Sequence, residues 1–351
     1  MVSDKIKYLI KDVVAHMLYA IGLLQLWQHF VLRKKAVILM YHRVLTPDDM
    51  SRSGSHPAMI VESQTFADQM AVVKQRFKVL SIEEFTARME QRIPFENSSC
   101  LITFDDGWRD NFMNALPILR LHQLPALVFL PVNFISRKRL FWQEDLVHLL
   151  VLAVAMARKN PARKERLCQL LESIGLGQLL NLGDSDPRPL VIEAISRNRA
   201  GWTLSLIETT LGHLKSELGV NNADTEGTDG FLSWEQIAEM SQQGVTFGGH
   251  GAEHYLLSEV PVEEAREDIL MSKHVMDVRC KDMVPTFSYP RGYWTSQVVK
   301  EVKAAGFRLA FLARGGSVSC EDDRFLLRRI NICQAATKSR PMFLARIVGL
   351  F

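Results

Sequence analysis

Apolar residues along this chain fall into two rhythms. Short runs at Ala36 to Val44, Leu101 to Phe104, Ala126 to Val132 and Leu309 to Ala313 are mostly hydrocarbon, those at Val245 to Phe247, Thr286 to Tyr289 and Leu326 to Ile332 mix polar residues in, and several stop at acids, glycines or histidines. Runs of that kind predict strands buried on both faces of a parallel sheet. Between them the apolar positions recur at helical spacing. Phe66, Met70 and Val73 mark a helix from about Thr65 to Phe77, and others are predicted from Ile82 to Gln91, from Asn111 to His122 and from Val262 to Val278. Ser233 caps one more, which carries Trp234, Ile237 and Met240. Strand alternating with helix means a parallel sheet with helices outside, and about seven such units close most simply as a distorted (β/α)7-type barrel.

The rhythm breaks twice. Residues 141–230 read as helices, with an apolar run from Leu149 to Ala157, a charged run from Arg158 to Arg166, a turn-forming cluster from Gly183 to Pro189 and a linker from Asn221 to Gly230. This predicts a helical insertion between barrel halves at residues 36–140 and 231–351, its apolar run buried against the barrel. Before the first strand, Ile6, Ile10, Val13, Met17, Ile21, Leu24 and Val31 recur at helical spacing and Arg33-Lys34-Lys35 closes the segment, so residues 1–35 are expected to form an amphipathic helix. His16, Gln25, Gln28 and His29 interrupt it as a membrane span, and no small-residue cleavage site makes it a signal peptide. Lying on a membrane, packing on the enzyme and spanning remain the three alternatives, with the flanking basic residues favouring anionic lipid. The apolar tail from Met342 to Phe351 is expected beside this helix or at the membrane.

Candidate chemistry sits where the strands stop. Leu101-Ile102-Thr103-Phe104 delivers Asp105, Asp106 and Gly107 to a sheet edge, and neighbouring side chains there point in different directions. One acid can hold a metal while the other manages a proton, although a turn and a cap for the helix beginning near Asp110 is the plain alternative. Far downstream, Val245 to Gly249 leads into His250 and His254. Two imidazoles four residues apart can converge on one metal, and an Asp from another strand end completes three protein ligands with positions left open.

Thr103-Phe104-Asp105-Asp106-Gly107 with His250-Gly251-Ala252-Glu253-His254 resembles the polysaccharide deacetylases, carbohydrate esterase family 4, the NodB-homology domain. Ile38 to Val44 resembles the opening strand of one branch of that family, Phe287-Ser288-Tyr289-Pro290-Arg291-Gly292 its third motif, and Leu327 to Ile330 its closing strand. The resemblance implies a divalent metal, most readily Zn²⁺, on Asp106, His250 and His254, with Asp105 as general base and a backbone N–H near Tyr289 for the oxyanion. It implies hydrolysis of N-acetyl groups on N-acetylhexosamine units of a surface polysaccharide or its lipid-linked precursor. No Leu-x-His stands where the family's general acid sits, and the third motif lacks its Arg-Pro-Pro-Tyr form. His42 is the candidate proton donor, Arg329 the candidate partner that keeps Asp105 ionised, and Trp108 and Trp294 the candidate platforms for a sugar face, with Tyr289 beside the substrate.

Composition narrows the field without choosing within it. The chain has 351 residues, 47% hydrophobic and 23% charged, enough for a large core. A net charge of +3, with no basic block interleaved with aromatics, argues against nucleic acid. Five scattered cysteines without a Cys-x-x-Cys pair argue against a disulfide framework and fit a reducing compartment, so a cytoplasmic protein, peripheral on the inner membrane face, is expected. A small-molecule amidohydrolase on the same fold and a non-catalytic glycan-binding protein are the competing readings.

Overall fold

The structure, a computed structural model, describes residues 2–159, 161–173, 175–177, 179, 186–198, 203–220 and 228–351. The chain forms two compact units, one of residues 1–50, 57–137 and 231–351 and the other of residues 51–56 and 138–230.

The first unit is a curled parallel sheet. Its main strands are β1 (Ala36–Tyr41), β2 (Ser99–Phe104), β3 (Ala126–Leu130), β4 (Val245–Gly249), β5 (Thr286–Ser288), β6 (Leu309–Phe311) and β7 (Ile330–Asn331), with two short additions, Lys78–Val79 parallel to β2 and Ser317–Val318 antiparallel to β1. β1 runs beside β2 from Ala36↔Ser99 to Tyr41↔Phe104, and β3, β4, β5 and β6 follow in chain order. The edges are then joined: Leu327 bridges to Phe311 of β6, and Ile330 and Asn331 pair with Leu39 and Met40 of β1. The pairings among the main strands are all parallel, because each strand is followed by a crossover on the outside of the sheet.

Side chains alternate in direction along a strand. One hydrophobic cluster gathers Ala36 and Ile38 of β1, Leu101 of β2, Leu127 and Phe129 of β3, Leu309 and Phe311 of β6, and Leu327. Ile82, Phe85 and Met89 of the helix Ile82–Gln91 join it. Going up β2 on the face of Leu101, the next residues are Thr103 and then Asp105. The same alternation that fills the core therefore brings a carboxylate to its upper end.

The predicted helices form with small shifts. Ser63–Arg76, Ile82–Gln91 and Val262–Arg279 are regular, and Ser233 closes a full capping box with Gln236 at the start of Trp234–Ser241. The helix expected from Asn111 starts as a π-helical turn, Asn111–Ala115, before Leu116–His122. Turns of that kind are common beside functional sites.

The N-terminal segment is two helices, Val2–Ala20 and Leu23–Val31, meeting at 89°. Gly22, at φ 78°, makes the corner. No single helix among the described residues is long and apolar enough to cross a membrane. Leu24, Gln28 and Leu32 turn inward, and Gln28 donates to Ser98 Oγ and to the Arg76 carbonyl. The C-terminal helix Arg340–Ile347 is mostly buried and packs on both N-terminal helices, so it does not supply an apolar surface of its own.

In the second unit the helices are Trp142–Lys159, Pro161–Ser173, Arg188–Asn198 and Leu204–Leu218. Leu149, Leu150, Ala153, Val154 and Ala157 are buried with Leu167, Leu171, Val191 and Leu214 of this same unit. The expectation that the apolar run packs on the barrel is corrected: the four helices bury it in a core of their own. Residues 51–56 are fastened within this unit by Asp229, which accepts from Ser53 Oγ at 2.9 Å and from the Gly54 N–H at 2.7 Å and pairs with His148 at 2.8 Å. Most of the Gly183–Pro189 cluster's first half and of the Asn221–Gly230 linker lies outside the described residues.

Candidate active site

Asp105 and Asp106 follow the last residue of β2 and are both buried. Neither caps a helix. Arg329 donates from Nη1 to Asp105 Oδ1 at 2.7 Å and from Nη2 to Oδ2 at 2.6 Å. The guanidinium is itself fully buried; Nε goes to the Leu312 carbonyl at 2.8 Å and Nη2 also to Ser288 Oγ at 2.8 Å. Burial alone would raise the Asp105 pKa, but the Arg329 charge outweighs it and holds the carboxyl below its usual range. Asp105 is thus an anion fixed in one orientation.

Asp106 faces the other way. Its backbone is left-handed at φ 74°, a strained choice for a side-chain-bearing residue, and Gly107 continues it at φ 63°, where a Cβ would stand 2.7 Å from Leu130. This kink turns Asp106 Oδ1 toward two imidazoles, with His250 Nε2 and His254 Nε2 each at 3.4 Å. His250 is aimed by its other nitrogen, since Nδ1–H donates to the Ser288 carbonyl at 2.8 Å and leaves the Nε2 lone pair for the cluster. His254 is also left-handed, at φ 56°. The loop between the histidines is held by Asp268 of the helix Val262–Arg279, which accepts the Ala252 and Glu253 N–H groups at 2.9 and 2.7 Å. A Cβ at Gly251 would meet that carboxylate at 2.5 Å, so only glycine fits there.

The donor set suits a metal. Asp106, His250 and His254 each offer one atom, all within 4.8 Å of one another. Ligands about 2.1 Å from a tetrahedral ion lie about 3.4 Å apart, the tetrahedral edge, which is the separation found on two of the three edges. Electrostatics agrees. Asp106, despite burial that would raise its pKa, is pulled well below the carboxylate range by the histidines. Burial pushes His254 down to about 4, while the Asp105 and Asp106 charges outweigh burial at His250 and raise it.

His42 follows β1, level with Asp105 in the register. Burial lowers its pKa, and its buried Nδ1 has no hydrogen-bond partner in the structure. Asn111, whose amide donates to the His42 carbonyl at 2.9 Å, likewise leaves its buried Oδ1 without a partner.

Two predicted substrate contacts are corrected. Trp108 is fully buried and offers no face to a sugar. Its indole N–H instead donates to Asp106 Oδ2 at 3.0 Å, the oxygen pointing away from the histidines, and its ring lies under the Arg43 guanidinium at 4.2 Å. Arg43 is anchored by Asp110 at 2.9 Å. Tyr289 is likewise buried; its N–H donates to the Phe311 carbonyl and its hydroxyl to the Phe325 carbonyl, so neither is available to an oxyanion. Trp294 remains 41% exposed on the loop leaving β5. Sequence reasoning missed Arg43, Asp110, Ser288 and Asp268. Arg43, a charge closing an apolar run, was a visible signal; Asp268, one acid among many on its helix, was not.

A parallel α/β barrel with a buried carboxylate and two histidines converging at the C-terminal ends of its strands defines the class. The sequence profile of the polysaccharide deacetylase family matches residues 192–310. YxkH of Bacillus subtilis, itself classed with the polysaccharide deacetylases, is 23% identical over 101 residues, 29% of this chain and only 36% of that protein's length. Among solved structures, the Streptococcus pyogenes deacetylase PplD in complex with acetate superposes with TM-score 0.56 at 17% identity, over 90% of this chain and 98% of that one. IcaB from Ammonifex degensii gives 0.55 at 18%, over 90% and 97%. At these identities the structures speak for the fold. The profile, over about a third of the chain, and the curated relative add a likeness in sequence to the polysaccharide deacetylases.

Proposed function

We propose that the protein is a metal-dependent hydrolase that removes N-acetyl groups from N-acetylhexosamine units of a surface polysaccharide or its precursor. The observation that carries this reading is the Asp106–His250–His254 cluster with its 3.4 Å edges, set beside an Asp105 that Arg329 keeps ionised. Two nitrogens and one oxygen favour zinc. A divalent ion held there supplies Lewis acidity toward an amide carbonyl and lowers the pKa of a coordinated water. Asp105 takes the proton as water adds to the acetamide carbon. The C–N bond then breaks, acetate leaves, and the amine receives a proton; His42, whose Nδ1 is unengaged, is the donor in this reading. Trp294, 41% exposed, is the predicted platform left to meet a sugar ring, with the exposed Tyr293 beside it. Five unpaired cysteines, four of them buried, support a reducing, cytoplasmic setting.

Acetate release from acetylated oligosaccharides by zinc-loaded protein tests the reading. Release that grows with chain length is expected. Turnover of acetylated monomers alone supports the small-molecule amidohydrolase instead, and binding without turnover supports a glycan-binding protein.

A further inference from the structure

The N-terminal helix pair presents hydrocarbon to solvent in an ordered way. On the helix Val2–Ala20, Ile6, Leu9, Ile10, Val13 and Met17 follow the spacing of a single face, and each is between 49% and 64% exposed. On Leu23–Val31, Leu23, Leu26, Trp27 and Phe30 do the same, opposite the inward Leu24 and Gln28. Scattered exposed apolar residues need no account, but two stripes on one corner do. The exposed Arg33, Lys34 and Lys35 follow directly, and Lys11 lies on the first helix. An apolar face that includes Trp27 and Phe30, with flanking cations, matches the chemistry of an anionic bilayer surface.

We propose that this helix pair docks the barrel on an anionic membrane surface. Gln28 bonds to Ser98, and the Ser98 N–H donates to the Leu32 carbonyl, so the second helix sits at the start of β1 and β2. The first helix packs along Arg340–Ile347, with Ser339 Oγ donating to Asp12 Oδ1 at 3.4 Å. Both helices are thus fixed to the barrel on their inward faces, and their apolar stripes are left for the lipid.

Flotation of the full chain with vesicles of phosphatidylglycerol and phosphatidylcholine in equal amounts tests the docking. Binding is expected, weaker in high salt and on pure phosphatidylcholine, and at least tenfold weaker for Leu26→Glu/Phe30→Glu. No binding, or binding indifferent to these changes, overturns it. A dimer that the double variant dissolves, without vesicle binding, means a second copy covers the face and overturns it too.

Discussion

The two ends of the barrel break the ordinary rule of burial in opposite directions. At the C-terminal ends of the strands, Arg43, Asp105, Asp106, His250 and Arg329 are charged or titratable and buried. At the N-terminal ends, Leu26, Trp27 and Phe30 are apolar and exposed. Between them the strands obey the rule. Buried charges persist because each has a partner of opposite sign or a polar contact in good geometry, whereas the hydrocarbon is covered by nothing among the described residues. Left-handed backbone at side-chain-bearing residues occurs at both ends, at Asp106, His254 and Arg291 above and at Lys34 and Ser98 below, but only above does it carry a buried titratable group. Strain and buried charge both cost stability, and neither is maintained without a fold rigid enough to impose it.

The comparison predicts that substitutions at the upper end act on chemistry and those at the lower end do not. The largest effect belongs to Asp106→Ala. It should abolish metal retention and acetate release together, since two histidines make a poor site. Metal analysis beside activity checks this, and a loaded, active variant breaks the assignment. Asp105→Asn should retain the metal yet lose at least ~10²-fold in deacetylation, the usual consequence of losing a general base. It should also destabilise the fold by roughly 3–5 kcal/mol, because the Arg329 charge is left buried without its anion. Denaturant titration separates the two effects.

Trp108→Phe is a finer probe. It keeps a ring beneath Arg43 but removes the donor to Asp106 Oδ2. Metal affinity should fall by about 10-fold, as for other groups that orient a ligand from outside. An unchanged dissociation constant by competition with a chelator would mean that the indole bond only packs.

The smallest effect is on protons. In the metal-free protein His250 has a raised pKa and His254 one of about 4, so at a pH between the two pKa values metal uptake displaces a proton from His250 alone. Affinity should weaken by about one log unit per pH unit as pH falls below the His250 pKa, with a second proton entering only near pH 4. Calorimetry in buffers of different ionisation enthalpy counts the protons; two released at pH 6 would sink this account.

Much of this was legible in the chain itself. Apolar runs set the strands, because a strand buried on both faces leaves no polar position to interrupt it. Asp105, Asp106, His250 and His254 stood out because each follows such a run. The capping box at Ser233 and the helix Ile82–Gln91 were equally plain. Partnership across distance was not. Which oxygen of Asp106 meets the histidines depends on a left-handed φ that no local preference announces, and Trp108 looked like a sugar platform until packing placed it beneath Arg43. Tyr289 lost its expected role because the register of β5 on β6 commits its N–H to Phe311. The N-terminal segment showed its apolar spacing in sequence, but the corner at Gly22, the inward turn of Leu24 and the end of the barrel it caps were set by tertiary contacts. Sequence periodicity determines which residues share a face, since that is fixed by backbone geometry within one element. Which face meets which, and so which carboxylate meets which imidazole, is decided only when elements far apart in the chain compete for the same buried space.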